Sequence, residues 1–176
     1  MGICMSKKSV SSKGITIDKF KIDRVIGRGG FGKVYIVERK DRNTGDKFAM
    51  KEMLKARVMN KDSVESVLSE LNFLKKIDQS DPASKFIINV NYAFQDNDNI
   101  YLVIDLLTGG DFRFHLVKEK AFQPECTQFF VACIAIALDQ CHKQKILHRD
   151  LKPENLVFND KGYLKLTDFG IADLIE

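Results

Sequence analysis

His148-Arg149-Asp150-Leu151-Lys152-Pro153-Glu154-Asn155 is followed, thirteen residues after Asn155, by Asp168-Phe169-Gly170. Between them, Leu156-Val157-Phe158 and Tyr163-Leu164-Lys165-Leu166 read as two short strands. The turn that joins them, Asn159-Asp160-Lys161-Gly162, is tight and carries its glycine last. A hairpin this short predicts that Asp150, Asn155 and Asp168 stand at neighbouring strand ends. A base candidate, an amide oxygen and a second carboxylate would then face one small space. That set suits Mg²⁺, which prefers oxygen ligands and a nucleotide's phosphates. The chemistry suggested is phosphoryl transfer.

These two motifs resemble the catalytic loop and the metal-binding motif of eukaryotic protein kinases. The resemblance implies that Asp150 accepts or orients the proton of a substrate hydroxyl. Asn155 would hold one Mg²⁺, and Asp168 the Mg²⁺ that bridges the phosphates of ATP. Lys152, two residues after Asp150, resembles the serine/threonine-specific branch. The fold implied is α+β and protein-kinase-like, with a five-stranded antiparallel N-lobe sheet and one main helix. The first part of a mostly helical C-lobe would follow. Residues 1–19 are then expected to form a tail, 20–104 the N-lobe, and 105–176 the hinge and a partial C-lobe.

Composition narrows the alternatives. With 176 residues and 44% hydrophobic content, the chain can build a real core in one domain or two small lobes. Its net charge of +4 comes from interleaved basic and acidic residues, so nucleic acid is not expected as a partner. Cys4, Cys126, Cys133 and Cys141 have no CxxC spacing and read as reduced thiols, as in a cytosolic setting. The longest apolar run, Phe129 to Leu138, is too short to span a bilayer.

In chain order, Phe20, Ile22, Val25 and Ile26 suggest a strand that ends at Gly27-Arg28-Gly29-Gly30-Phe31-Gly32. A dinucleotide-binding loop would open a helix here, but Lys33-Val34-Tyr35-Ile36-Val37 is β-branched and aromatic. A Walker A loop would need Ser or Thr where Val34 stands. A hairpin whose glycine turn covers phosphates remains, and it resembles the kinase glycine-rich loop. Lys47-Phe48-Ala49-Met50-Lys51 alternates as a strand. Asp62 and Glu65 resemble a helix-capping pair, and Val64, Val67, Leu68, Leu71, Leu74 and Ile77 keep helical spacing. By resemblance, Lys51 contacts the phosphates and pairs with Glu70 on that helix. Ile87 to Phe94 and Ile100 to Leu107 read as paired strands around Asp96-Asn97-Asp98-Asn99. The resemblance makes Ile104 the gatekeeper and Asp105 to Leu107 the adenine-binding hinge. Val34, Ala49 and Val157 would sandwich the base. Val90, Leu74, His148 and Phe169 would form a column of packing side chains, which gives His148 a structural role.

Gly109-Gly110-Asp111 punctuates the chain, Phe112 to Lys118 reads as a short helix, and Pro124 opens a long one reaching about Gln144. The centre of the long helix is apolar on every side, as in the heart of a lobe. The run Asp105 to Leu116 and the N-terminus resemble the YANK branch of the AGC kinases. Asp111 and Glu154 fall where some related kinases meet substrate arginines, and both also suit capping or surface roles. Met1-Gly2-Ile3-Cys4-Met5-Ser6 fits N-myristoylation at Gly2, with palmitoylation of Cys4 as a second signal. A protein peripheral to the cytosolic face of a membrane is expected from this. The sequence stops six residues past Gly170, before the activation segment that the resemblance implies. The leading expectation is therefore the N-terminal portion of a serine/threonine kinase that acts on a protein substrate, inactive as this chain alone. The alternative is a lipid-anchored, non-catalytic nucleotide-binding or interaction module.

Overall fold

The structure is a computed structural model that describes residues 14–30, 32–41, 45–60 and 63–175. The first strands are β1 (Phe20–Arg28), β2 (Gly32–Arg39) and β3 (Lys47–Leu54), followed by helices α1 (Lys55–Asn60) and α2 (Val64–Lys76). Next come β4 (Val90–Gln95), β5 (Asn99–Asp105), α3 (Phe112–Glu119) and α4 (Pro124–Lys143). Four short strands finish the chain: β6 (Ile146–Leu147), β7 (Leu156–Phe158), β8 (Leu164–Leu166) and β9 (Asp173–Leu174). Two compact units result, one from the described residues up to Glu65 with Val90–Leu106, the other from Ser66–Asn89 and Leu107–Glu176.

The first unit is a five-stranded antiparallel sheet in the order β1-β2-β3-β5-β4. Its register sorts side chains between two faces. Val34 pairs with Lys51, Ile36 with Ala49, and Ala49 with Ile104. Paired residues share a face and neighbours alternate, so Val34, Ala49, Lys51 and Ile104 occupy the same side. Phe20, Val37, Met50, Tyr92, Phe94, Tyr101 and Val103 form a buried cluster on the other. Phe94 stacks between Phe20 and Tyr101, with ring centres at 5.6 and 4.9 Å. The Arg39 guanidinium lies 4.7 Å from the Tyr92 ring centre and pairs with the Asp41 carboxylate, so this buried charge has both a π face and a counterion. The β4–β5 turn is closed by Asp96, whose carboxylate accepts from the backbone N–H groups of Asp98 and Asn99 and from the Tyr101 hydroxyl.

Two sequence expectations shift here. Helix α1 was not foreseen, since a six-residue element that buries Val58 alone leaves no apolar period to read. Strand β4 begins at Val90 rather than Ile87, because Ile87 forms a bridge to Leu166 in the second unit.

The second unit is built around α4 and the β7–β8 hairpin, with Ile87, Cys141, Ile146, Leu164, Leu166 and Phe169 as its most buried residues. Asp81 caps a 3₁₀ turn at Pro82–Phe86 and accepts a hydrogen bond from Gln140 of α4 at 2.9 Å. Helix α4 buries Cys133, Ala137, Gln140 and Cys141, while Phe129, Val131 and Ile136 are exposed. The apolar circumference read from the sequence is therefore half covered. In α2, Val67, Leu71, Phe73 and Leu74 are buried, whereas Val64 is exposed. No helix among the described residues is long and apolar enough to cross a membrane.

Candidate active site

The loop from His148 to Asn155 runs from β6 to β7, and the β7–β8 hairpin returns the chain beside it. Two hydrogen bonds from Thr167 to the Asn155 carbonyl, N–H at 2.9 Å and hydroxyl at 3.1 Å, fasten that return. Asp168 thus follows a residue tied to Asn155. Asn155 is buried, and its amide nitrogen donates to the Asp150 carbonyl at 3.0 Å and to the Asp150 carboxylate at 2.9 Å. Both acceptors require the NH₂ group, which turns the amide oxygen away from Asp150. Lys152 holds the same carboxylate at 2.7 Å. Asp150, Asn155 and Lys152 are therefore brought together.

The electrostatics follow from these contacts. The Lys152 hydrogen bond, reinforced by Asn155, holds the Asp150 carboxyl below its ordinary range, and Asp150 in turn raises Lys152. Burial lowers the pKa of His148. Its Nε2 faces the Thr167 carbonyl at 2.9 Å and its Nδ1 accepts from the Asp150 N–H at 3.3 Å, which defines a neutral ring protonated at Nε2. That ring packs edge to face on the wholly buried Phe169, with centres 4.8 Å apart. The packing role read for His148 agrees with this geometry. Leu74 in the second unit and Val90 in the first are both buried.

Arg149 and Asp168 both have φ of +62°, an uncommon conformation for residues with a Cβ. Arg149 Nε donates to the Ile171 carbonyl at 2.7 Å, and Nη1 pairs with Asp173 at 2.9 Å. Asp168 is exposed, and its Oδ1 accepts from the Gly170 N–H at 3.3 Å. The Ser66 hydroxyl of α2 donates to the Gly170 carbonyl. Sequence reading gave no role to Ser66, Arg149, Thr167 or Asp173. Arg149 and Thr167 adjoin the motif aspartates, whereas a serine on a helix carries no signal of its partner.

Mg²⁺ fits the donor set. Asn155 presents an amide oxygen, Asp168 an exposed carboxylate, and phosphates can complete the shell of a cation that seldom takes an all-protein cage. No cluster of three or more His, Cys, Asp or Glu side chains suited to a metal occurs among the described residues.

In the first unit, the glycine loop joins β1 to β2, and the Gly29 N–H donates to the Gly32 carbonyl at 2.9 Å to close it. Beneath it lies a cavity of about 60 Å³ lined by Gly29, Gly30, Gly32, Lys33, Val34, Lys51, Glu52 and Met53. A Cβ added at Gly29 would meet nothing within 4 Å, and at Gly27 it would make ordinary contact with Val34. Arg28 ends β1 and is exposed. Ile104 and Asp105 end β5, and Asp105 accepts from Asn91 at 3.1 Å. Leu107, Val157 and Glu70 belong to the second unit, with Glu70 on α2. Asp111 caps α3 by accepting from the Phe114 N–H at 2.7 Å, and Glu154 is an exposed residue of a 3₁₀ turn. Phe31, Asp62, Gly2 and Cys4 lie outside the described residues.

Comparison with known proteins matches the protein kinase domain model to residues 20–176. The chain belongs to the protein kinase family. It is 40% identical over 162 residues to human serine/threonine-protein kinase 32C, covering 92% of this chain and 32% of that protein. The RAC family serine/threonine-protein kinase homolog of Dictyostelium discoideum is 37% identical over 166 residues, covering 94% of this chain and 36% of that protein. The serine/threonine-protein kinase tricornered of Drosophila melanogaster is 39% identical over 156 residues, or 89% of this chain and 32% of that protein. These relatives place the chain in the AGC group, with the YANK-type enzymes among them. The chain spans about a third of the length of the curated relatives it matches. ATP and Mg²⁺ are what this family normally uses.

Proposed function

We propose that this chain carries the nucleotide and phosphoryl-transfer machinery of a membrane-tethered serine/threonine protein kinase. The observation that carries the reading is the Asp150 carboxylate, held by Lys152 and Asn155 and kept ionised by them. An ionised, oriented carboxylate can accept or orient the proton of a substrate Ser or Thr hydroxyl. Lys152, bound to the same oxygen, is placed to neutralise charge that develops beside it. Asn155 and Asp168 would hold Mg²⁺, which when bound supplies charge neutralisation on the transferred phosphate. The glycine loop and Lys51 would face the phosphates, with Val34, Ala49, Val157, Ile104 and the 105–107 hinge around the base. Gly2 and Cys4 would carry the acyl groups, and loss of membrane retention in Gly2→Ala tests that part separately.

Binding is tested on the chain directly. Mg·ATP at 100 times its dissociation constant is expected to stabilise the chain by about 2.7 kcal/mol. Absence of any Mg·ATP-dependent rise in melting temperature would refute the nucleotide site. Stabilisation without phosphate transfer by the natural protein would favour a tethered binding module instead.

A further inference from the structure

We infer that Ser66 is a positioning residue for the carboxylate of Asp168, which makes α2 part of the metal site's support. The inference rests on the reading of Asp168 as a Mg²⁺ ligand. Ser66 is half-buried in the first turn of α2, and its hydroxyl donates to the Gly170 carbonyl, 104 positions further along the chain. Serine hydroxyls near a helix ordinarily return to their own backbone, so a bond this remote in sequence reflects a specific approach of α2 to the metal motif.

Gly170 is gripped on both sides of its α-carbon. Its carbonyl accepts from Ser66, and its N–H donates to Asp168 Oδ1 at 3.3 Å. A Cβ added there would lie 3.2 Å from Asp168 Oδ1 and 3.3 Å from Ser66 Oγ, so the two oxygens close tightly around the residue. Glycine has more backbone freedom than any other residue, and without the Ser66 bond its N–H can rotate away from the carboxylate it orients. Asp168 itself sits at φ +62°, a conformation that persists where the surroundings over-determine it. Thr167, fastened to Asn155, and the buried Phe169 supply two of those restraints, and Ser66 supplies the one that comes from α2. Glu70 stands one turn further along the same helix.

The test separates positioning from packing. The 176-residue chain is prepared as wild type, Ser66→Thr, Ser66→Val, Ser66→Ala and Asp168→Ala. ATP affinity is measured by calorimetry in EDTA and at stepped MgCl₂. Ser66→Val and Ser66→Ala are expected to need about tenfold more Mg²⁺ for half-maximal enhancement of ATP binding, the scale on which groups that orient a ligand act. Their affinity in EDTA is expected to stay within twofold of wild type, and Ser66→Thr, which keeps the hydroxyl, is expected to match wild type throughout. Equal losses in EDTA and in Mg²⁺ would make Ser66 a packing residue and overturn the inference. Wild-type Mg²⁺ dependence in Ser66→Val and Ser66→Ala, beside its loss in Asp168→Ala, would also overturn it. Retention of Mg²⁺ dependence by Asp168→Ala would overturn the metal-site reading instead.

Discussion

Alanine at Gly32 and alanine at Gly29 are expected to separate the two tasks of the glycine loop. A Cβ at Gly32 would lie 1.9 Å from the Glu52 carbonyl oxygen and 2.9 Å from its carbon. A Cβ essentially never stands closer than 3.0 Å to a non-bonded heavy atom. The obstacle is backbone in the paired strand β3, where Gly32 faces Met53 and Lys33 faces Glu52, so relief requires the hairpin to splay by more than about 1 Å. Overpacking of this kind costs about 1–3 kcal/mol. For a chain of this size that corresponds to a fall in melting temperature of about 2–12 °C. At Gly29 no atom lies within 4 Å of the added carbon and φ is not positive, so Gly29→Ala is expected to leave stability unchanged or raise it by less than about 1 kcal/mol. The same methyl would fill open space beside the loop and weaken Mg·ATP binding. Differential scanning calorimetry of both variants, with and without Mg·ATP, reads the two effects separately. A Gly32→Ala variant that melts within 1 °C of wild type, or a Gly29→Ala variant that melts below it, would refute the reasoning.

Other outcomes follow from the same contacts. His148 stays neutral in the fold because burial lowers its pKa, whereas the unfolded chain takes up that proton from its ordinary value of 6.5 downward. Protons then favour the unfolded state, so stability is expected to fall as pH drops from about 6.5 towards the lower pKa of the folded ring. Chemical denaturation at pH 7.5 and 5.5 is expected to show a smaller loss in His148→Tyr than in wild type, and equal losses would contradict the assignment. Among the described cysteines, Cys126 is exposed, while burial raises Cys133 and pushes Cys141 up to about 12. Iodoacetamide at pH 8 is expected to label Cys126 and to spare the other two until urea is added, as read by peptide mass mapping. Early labelling of Cys141 would refute the packing of α4.

The site was legible where a motif and its local structure coincide. The hairpin reading put Asp150, Asn155 and Asp168 at neighbouring strand ends, and the fold bonds Asn155 to Asp150 and to Thr167, the residue before Asp168. Val34, Ala49, Lys51 and Ile104 were named by the resemblance, and the strand register puts them on one face. Illegible features depend on partners distant in sequence or on elements too short to have a period. Ile87 leaves β4 for Leu166, Ser66 reaches Gly170, and the two-residue strands β6 and β9 pair Ile146 with Leu174. The apolar side of α4 was legible from composition, and Phe129, Val131 and Ile136 stand uncovered on it.

Transfer of labelled γ-phosphate from ATP to a serine- or threonine-containing protein by the natural protein, compared with its Asp150→Ala variant, bears most directly on the central claim. Loss of a positioned base is expected to lower transfer by about 10²–10⁴-fold while Mg·ATP binding persists. Equal transfer by Asp150→Ala and wild type would contradict the role given to this carboxylate.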